Sequence, residues 1–138
     1  MSLTNPPAII AQLSTQLQAC ASWVSAGLSS NVWYPDAPEG TSGPFAVLGF
    51  GTQQFTKYAE GAAPIRSGDL FFTIWKADTI GNLEGLAQSI LSELMTSDAG
   101  IPFREGDGMT ATAIGDAKEA AGETLYGVSV SITHGLSP

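Results

Sequence analysis

The chain has 138 residues, of which 43% are hydrophobic and 13% charged, and thirteen acidic side chains against five basic ones give a formal net charge of −8. A chain of this length fits one core, so we expect a single domain over residues 1–138. The cations are scattered, which excludes the clustered Lys/Arg face that tight nucleic-acid binding requires. These cations are Lys57, Arg66, Lys76, Arg104 and Lys118.

The only cysteine, Cys20, excludes an internal disulfide. The first residues carry neither a basic segment nor a long apolar run, so neither a signal peptide nor a membrane span is predicted. We therefore expect a protein that is made in a cytoplasm, remains there and has no membrane contact.

The first predicted element is an amphipathic helix from Pro6 to about Ala26. Apolar side chains recur along one stripe of this helix, with Ile10 and Trp23 at its edges. The stripe consists of Ile9, Leu13, Leu17, Cys20 and Val24. Gly27 is predicted to end the helix, because glycine readily adopts the left-handed conformation that follows a last turn.

Two strands and a long loop are predicted next. Asn31–Tyr34 forms a short strand, and the Pro-, Gly- and Ser-rich loop DAPEGTSGP leads into a second strand over Phe45–Phe50, with Tyr58 as the furthest end to which this strand could continue. Gly49 and Gly51 indicate a bulge or a close approach of another group to the backbone. The segment Glu60–Gly68 is predicted to turn the chain into a third strand, so that the second and third strands form a long hairpin with a projecting tip.

The third strand, GDLFFTIWKAD, is apolar on both faces. Side chains alternate along a strand, which places Leu70, Phe72 and Ile74 on one face. Phe71, Thr73 and Trp75 share the other face. Strands of this kind usually lie in a sheet that is covered on both sides, so we expect a further element or another chain to cover the second face.

A second amphipathic helix is predicted over Leu83–Leu94. Two strands follow, MTATAIGDA and LYGVSVSITHG, joined by KEAAGET, and the last strand is apolar on the face of Tyr126, Val128, Val130 and Ile132. The order of elements predicts an α+β fold with two helices packed on one face of a mainly antiparallel sheet of about five strands.

The sequence offers little catalytic chemistry. Cys20 is predicted to be packing material and His134 to lie at a strand end, because neither has a conventional catalytic partner in the pattern. One histidine and one cysteine cannot supply a structural zinc site. GFGTQQ is interpreted as a bulged strand and REGDG as a solvated turn, so no catalytic residue, cofactor or metal is expected.

Two occupants remain open for the second face of the third strand. Two helices suffice for one face only, so Phe71, Thr73 and Trp75 are candidate residues of a subunit interface, covered by another copy or another chain. The alternative is that the loop Asp36–Pro44 folds back and covers this face within the monomer.

The order of elements resembles that of the tail terminator, or tail-completion, proteins of long-tailed bacteriophages. In that family a segment of the form "vy…P…PyvvlG" precedes a strand that ends in Trp and polar residues and leads into a long helix. The first part is matched by Val32, Tyr34, Pro35, Pro44, Phe45, Val47, Leu48 and Gly49. The second part is matched by Phe72, Ile74, Trp75, Leu86, Ile90 and Leu94. The resemblance extends over about Ile9 to His134.

This resemblance implies a non-enzymatic virion protein. Its members form rings, usually hexameric, that cap the tail tube and join it to the head-side connector at the phage neck. The tail-tube and head–tail connector proteins would then be its partners, and DNA would pass through an acidic lumen without specific binding. Alternatives are a head-closure or tail-tube subunit of the same assembly, or a small α+β enzyme or ligand-binding domain.

Overall fold

The computed structural model of the protein describes residues 2–3, 7–38, 40–56, 65–96, 109–120 and 122–136. These ranges contain six strands and three helices. In chain order they are β1 (Ser2–Leu3), α1 (Ala8–Gln18), α2 (Ala21–Ser25), β2 (Val32–Tyr34), β3 (Phe45–Thr56), β4 (Ile65–Lys76), α3 (Ile80–Thr96), β5 (Met109–Ala120) and β6 (Glu123–Leu136).

The strands form one sheet in the order β1-β2-β3-β4-β6-β5. The four long strands pair antiparallel, whereas the two short strands at one side of the sheet, β1 and β2, run parallel to their neighbours. The α+β class is therefore confirmed. β1, which pairs with β2 over only two residues, is the strand that the sequence pattern does not predict.

The helices cover one face of the sheet, which we call the inner face and which carries Leu70, Phe72 and Ile74. Apolar residues of all three helices and of this face form one buried cluster. Within it the ring of Trp23 meets that of Phe72 edge-on, with 5.5 Å between centroids and an angle of 85°. This geometry is favourable for two aromatic rings and fixes α2 against β4.

The first predicted helix is in fact two helices. α1 ends at Gln18, and Cys20 has an extended backbone with φ −82° and ψ 122° before α2 begins. The break changes the phase of the stripe, so Trp23 is fully buried whereas Val24, predicted to be buried, is 52% exposed. The larger apolar area of the Trp23 side chain favours this arrangement over one that buries Val24.

The side chain of Glu93, in α3, binds the start of α2. The carboxylate of Glu93 accepts a hydrogen bond from the backbone N–H of Ser22 at 3.1 Å. Hydrogen bonds from the Ser22 side chain and from the N–H groups of Ser22 and Ala21 hold the pKa of Glu93 below its usual value. The first N–H groups of a helix lack partners within it, so Glu93 caps α2 from another element.

The β3–β4 hairpin is longer than predicted on its second strand. β4 begins at Ile65, within the segment predicted to turn, and pairs with β3 down to Thr56. The register shifts between Phe50 and Gln53, which confirms the bulge that the glycines indicate. The predicted hairpin tip lies between these paired ends, outside the described residues.

The last two strands are also longer than predicted. Most of the predicted connection KEAAGET is strand, since β5 runs to Ala120 and β6 begins at Glu123. Gly122 has φ +80°, a conformation that favours glycine and permits the tight turn. The predicted buried face of β6 is confirmed at Val128, Val130 and Ile132, whereas Tyr126 is 37% exposed.

Candidate subunit interface

The outer face of the sheet is the one opposite the helices, and it carries Phe71, Thr73 and Trp75. The register places Gly49 of β3 beside Phe71 and Gly127 of β6 beside Trp75. Between these two pairs, the Thr73 hydroxyl donates a hydrogen bond to the Ser129 hydroxyl at 3.3 Å. The three candidate residues therefore lie together in the centre of the sheet.

Two glycines allow the aromatic rings to lie against neighbouring strands. A Cβ atom added at Gly49 would lie 2.6 Å from Cζ of Phe71, and one at Gly127 would lie 2.9 Å from Cε3 of Trp75. Both distances are shorter than any normal carbon–carbon contact. Each ring thus occupies the space of a missing side chain and is half-buried.

The loop between β2 and β3 covers one part of the outer face. Phe45, Val47 and Leu125 form a second buried cluster there, with Trp33, Ala37 and Trp75 packed at its border. Gly43 lies so close to Leu125 that an added Cβ atom would be 2.7 Å from its Cδ2 atom. For this part of the face, the alternative that the loop folds back within the monomer is confirmed.

Asn31 holds this loop in place. Its side-chain amide donates hydrogen bonds to the carbonyl groups of Ser42 at 3.1 Å and Pro44 at 3.0 Å. Its side-chain oxygen accepts a bond of 2.9 Å from the indole of Trp33. One residue before β2 therefore holds the end of the loop that leads into β3 and also binds the indole of Trp33.

The loop leaves an open groove of about 330 Å³ on the rest of the outer face. We call this the outer-face groove; its lining residues are Pro35, Asp36, Val47, Phe71, Thr73 and Trp75. Its floor is apolar and aromatic, and the exposed carboxylate of Asp36 lies at its rim. The structure thus brings the three predicted interface residues together in one accessible depression.

Three residues of the outer face were missed by the sequence analysis. Leu125 is fully buried although it alternates with the predicted apolar face of β6, and Asn31 and Gly43 carry no periodic signal. The Gly- and Pro-rich composition of the segment before β3 predicted a loop there but none of these contacts.

The single cysteine and the single histidine of the chain lie in different elements. Cys20, between α1 and α2, is buried, and its thiol donates a hydrogen bond to the Gln16 carbonyl at 3.4 Å. Burial and then the charge of Glu93 raise its pKa, which disfavours the reactive thiolate. His134 pairs with Gly68 in the sheet, and its side chain lies outside the described residues.

Within the described ranges, no three His, Cys, Asp or Glu side chains lie together as metal ligands. GFGTQQ lies in β3, as predicted, and REGDG lies outside those ranges. A second depression, of about 340 Å³, lies between α2 and the start of α3 and contains Lys76 and Asp78, whose charged atoms are 3.5 Å apart.

None of the helices in the described part of the chain is long and apolar enough to cross a membrane. The chain matches no protein-family model. A search of curated proteins also finds no match.

Proposed function

We propose that the protein is a structural virion subunit that assembles into a ring at the phage neck, where the ring caps the tail tube and joins it to the head-side connector. The observation that carries this proposal is the outer-face groove, a compact aromatic depression on a small domain. Exposed apolar patches of this kind on small proteins mark contacts with other proteins.

The charge of the chain supports the same function. A net charge of −8 with scattered cations suits a ring whose lumen lets DNA pass without binding it. The resemblance in element order to tail terminators, stated above, supplies the expectation of six subunits, of a tail-tube partner and of a connector partner. A head-closure or tail-tube subunit of the same assembly is the second candidate, because it would use the same groove.

A single experiment on the purified chain tests the ring. Sedimentation velocity over a range of concentrations measures the mass of the assembly, and negative-stain electron microscopy shows its shape. We expect a discrete closed species with a central channel, at about six times the mass of the chain. A monomer with a bound small molecule would instead favour a ligand-binding domain, and an open polymer would favour a tube subunit.

The place of the ring in the virion needs a separate test. Gold-labelled protein, incubated with tail tubes of the phage whose genome encodes it, should label the tube at one end only. Label along the whole tube would favour the tail-tube alternative, and absence of label would contradict both versions. Genes for a tail-tube protein and a connector beside its own gene are expected for the same reason.

A further inference from the structure

The outer-face groove and the distal end of the β3–β4 hairpin lie at different places along the same pair of strands. Val47 pairs with Thr73 at the groove, and Thr56 pairs with Ile65 at the other end. At about 3.3 Å per residue, the span from Val47 to Thr56 is about 30 Å. β6 pairs alongside β4 as far as Arg66, so a third strand stiffens this span.

The segment at the distal end differs in charge from the rest of the chain. We call residues 55–66, FTKYAEGAAPIR, the hairpin end. Its two cations, Lys57 and Arg66, outnumber its one acid, Glu60, so it carries +1 whereas the remainder of the chain carries −9. It also contains two aromatic residues, Phe55 and Tyr58, and several aliphatic ones.

The groove has the complementary character. It offers the half-buried rings of Phe71 and Trp75 and, at its rim, the exposed carboxylate of Asp36. Apolar side chains flanked by cations match an apolar floor with an acidic rim, and such charge complementarity also fixes the orientation of two partners.

We infer that the outer-face groove binds the hairpin end of a second copy of the chain. The groove and the hairpin end of one copy lie about 30 Å apart on a paired hairpin, so one copy cannot bind its own hairpin end. The contact is therefore head-to-tail, the type that closes into a ring when its rotation divides the circle. This inference rests on the proposed ring and names the surfaces that join its subunits.

Charge reversal at both surfaces tests the inference. K57E combined with R66E should weaken association at least about thirtyfold, because like charges then face each other in the contact. D36K should do the same from the groove side. The matched control for the hairpin variant carries Q12E, T15E, S25E and Q88E at exposed helix positions, which makes the same change in net charge away from the groove, and E84K is the control for D36K.

Recombining the reversed charges gives the sharper result. The triple variant D36K, K57E and R66E should associate within about threefold of the parent, because the attraction is restored with opposite sign. Mixing the D36K protein with the K57E/R66E protein should give a ring in which the two variants alternate, because both contacts between unlike copies are attractive whereas both contacts between like copies are repulsive. Sedimentation velocity measures all of these species.

Cross-linking tests the contact in the unaltered protein, so its result does not require any variant to fold. A carbodiimide, which condenses a carboxylate with an amine, should join Asp36 to Lys57. A mixture of ¹⁴N- and ¹⁵N-labelled protein should yield mixed-isotope cross-linked peptides in the mass spectrum, which shows that the two residues belong to different copies.

Each outcome decides the inference. The cross-link together with rescue by the triple variant supports it. If the parent forms a ring and K57E/R66E associates as well as its control, the hairpin contact is wrong while the ring remains. If the parent is monomeric at about 1 mM, where contacts of only about 4 kcal/mol would populate dimers, both the contact and the ring are wrong.

Discussion

The two faces of the sheet differ in what covers them. The inner face is covered by three helices, and Leu70, Phe72 and Ile74 are fully buried there. On the outer face the same strand presents Phe71, Thr73 and Trp75, and the covering layer is a loop that leaves a groove open. The inner face is buried within the fold, whereas the outer face buries part of its apolar area under the loop and leaves the rest accessible in the groove.

The two faces differ because a helix and a loop bury different amounts of apolar surface against a sheet. An amphipathic helix buries one residue in every three or four along its length, so helices seal a sheet face almost completely. A loop covers through a few anchored contacts, here the hydrogen bonds of Asn31 and the close approach of Gly43 to Leu125. Substitutions on the inner face should therefore lower mainly the free energy of unfolding, whereas substitutions in the groove should lower mainly the association of the chain.

The largest effect on the fold is expected at the inner face. Phe72→Ala removes a fully buried ring that packs on Trp23 and leaves a cavity, at a cost of about 3–5 kcal/mol in the free energy of unfolding. Urea unfolding followed by circular dichroism measures this loss. Val24→Ser, at a position 52% exposed on the helix layer, is the control and should change stability by less than about 0.5 kcal/mol.

On the outer face the main effect should be on assembly. Phe71→Ser removes an aromatic side chain from the centre of the groove, and such truncations at interface centres commonly cost about 2 kcal/mol, roughly a thirtyfold loss of association. Light scattering at matched concentration compares it with the parent and with Val24→Ser.

One outcome of the Phe71→Ser experiment would contradict the proposed interface. An outright loss of the folded circular-dichroism spectrum would mean that Phe71 belongs to the core of the monomer and would contradict the interface. Trp75→Ser should lower both assembly and stability, because Trp75 also packs at the border of the second cluster.

A smaller effect is expected where the loop is held. Asn31→Ala removes two hydrogen bonds to loop carbonyl groups and one from Trp33, and should lower the free energy of unfolding by about 1–2 kcal/mol. Loss of the loop anchor should also speed hydrogen exchange near Leu125 and reduce assembly. Exchange that stays equal to that of the parent would show that the loop is held by packing alone.

The smallest predicted effect is the pH dependence of the α2 cap. The pKa of Glu93 is lowered in the folded protein. The Glu93 carboxylate therefore adds to the free energy of unfolding above its unfolded pKa, and this stabilisation is lost as the pH falls through its folded pKa. Glu93→Gln should flatten the fall in unfolding midpoint between about pH 6 and pH 3. Asp78, whose pKa is lowered mainly by a hydrogen bond from Asn82, titrates in the same range, so the comparison with the parent isolates Glu93. Identical pH profiles would contradict the cap.

The sequence by itself determined the α+β class, the long hairpin and the buried stripe of α3, because each depends on a local repeat of apolar residues. It also placed Phe71, Thr73 and Trp75 together on the second face of β4, because side chains alternate along a strand and both faces of this strand are apolar. The break at Cys20 was beyond its reach, because Glu93, which is distant along the chain, supplies the cap of α2. Only the tertiary structure decided how the outer face is divided between loop and groove, because that depends on contacts of Asn31, Gly43 and Leu125 that carry no periodic pattern.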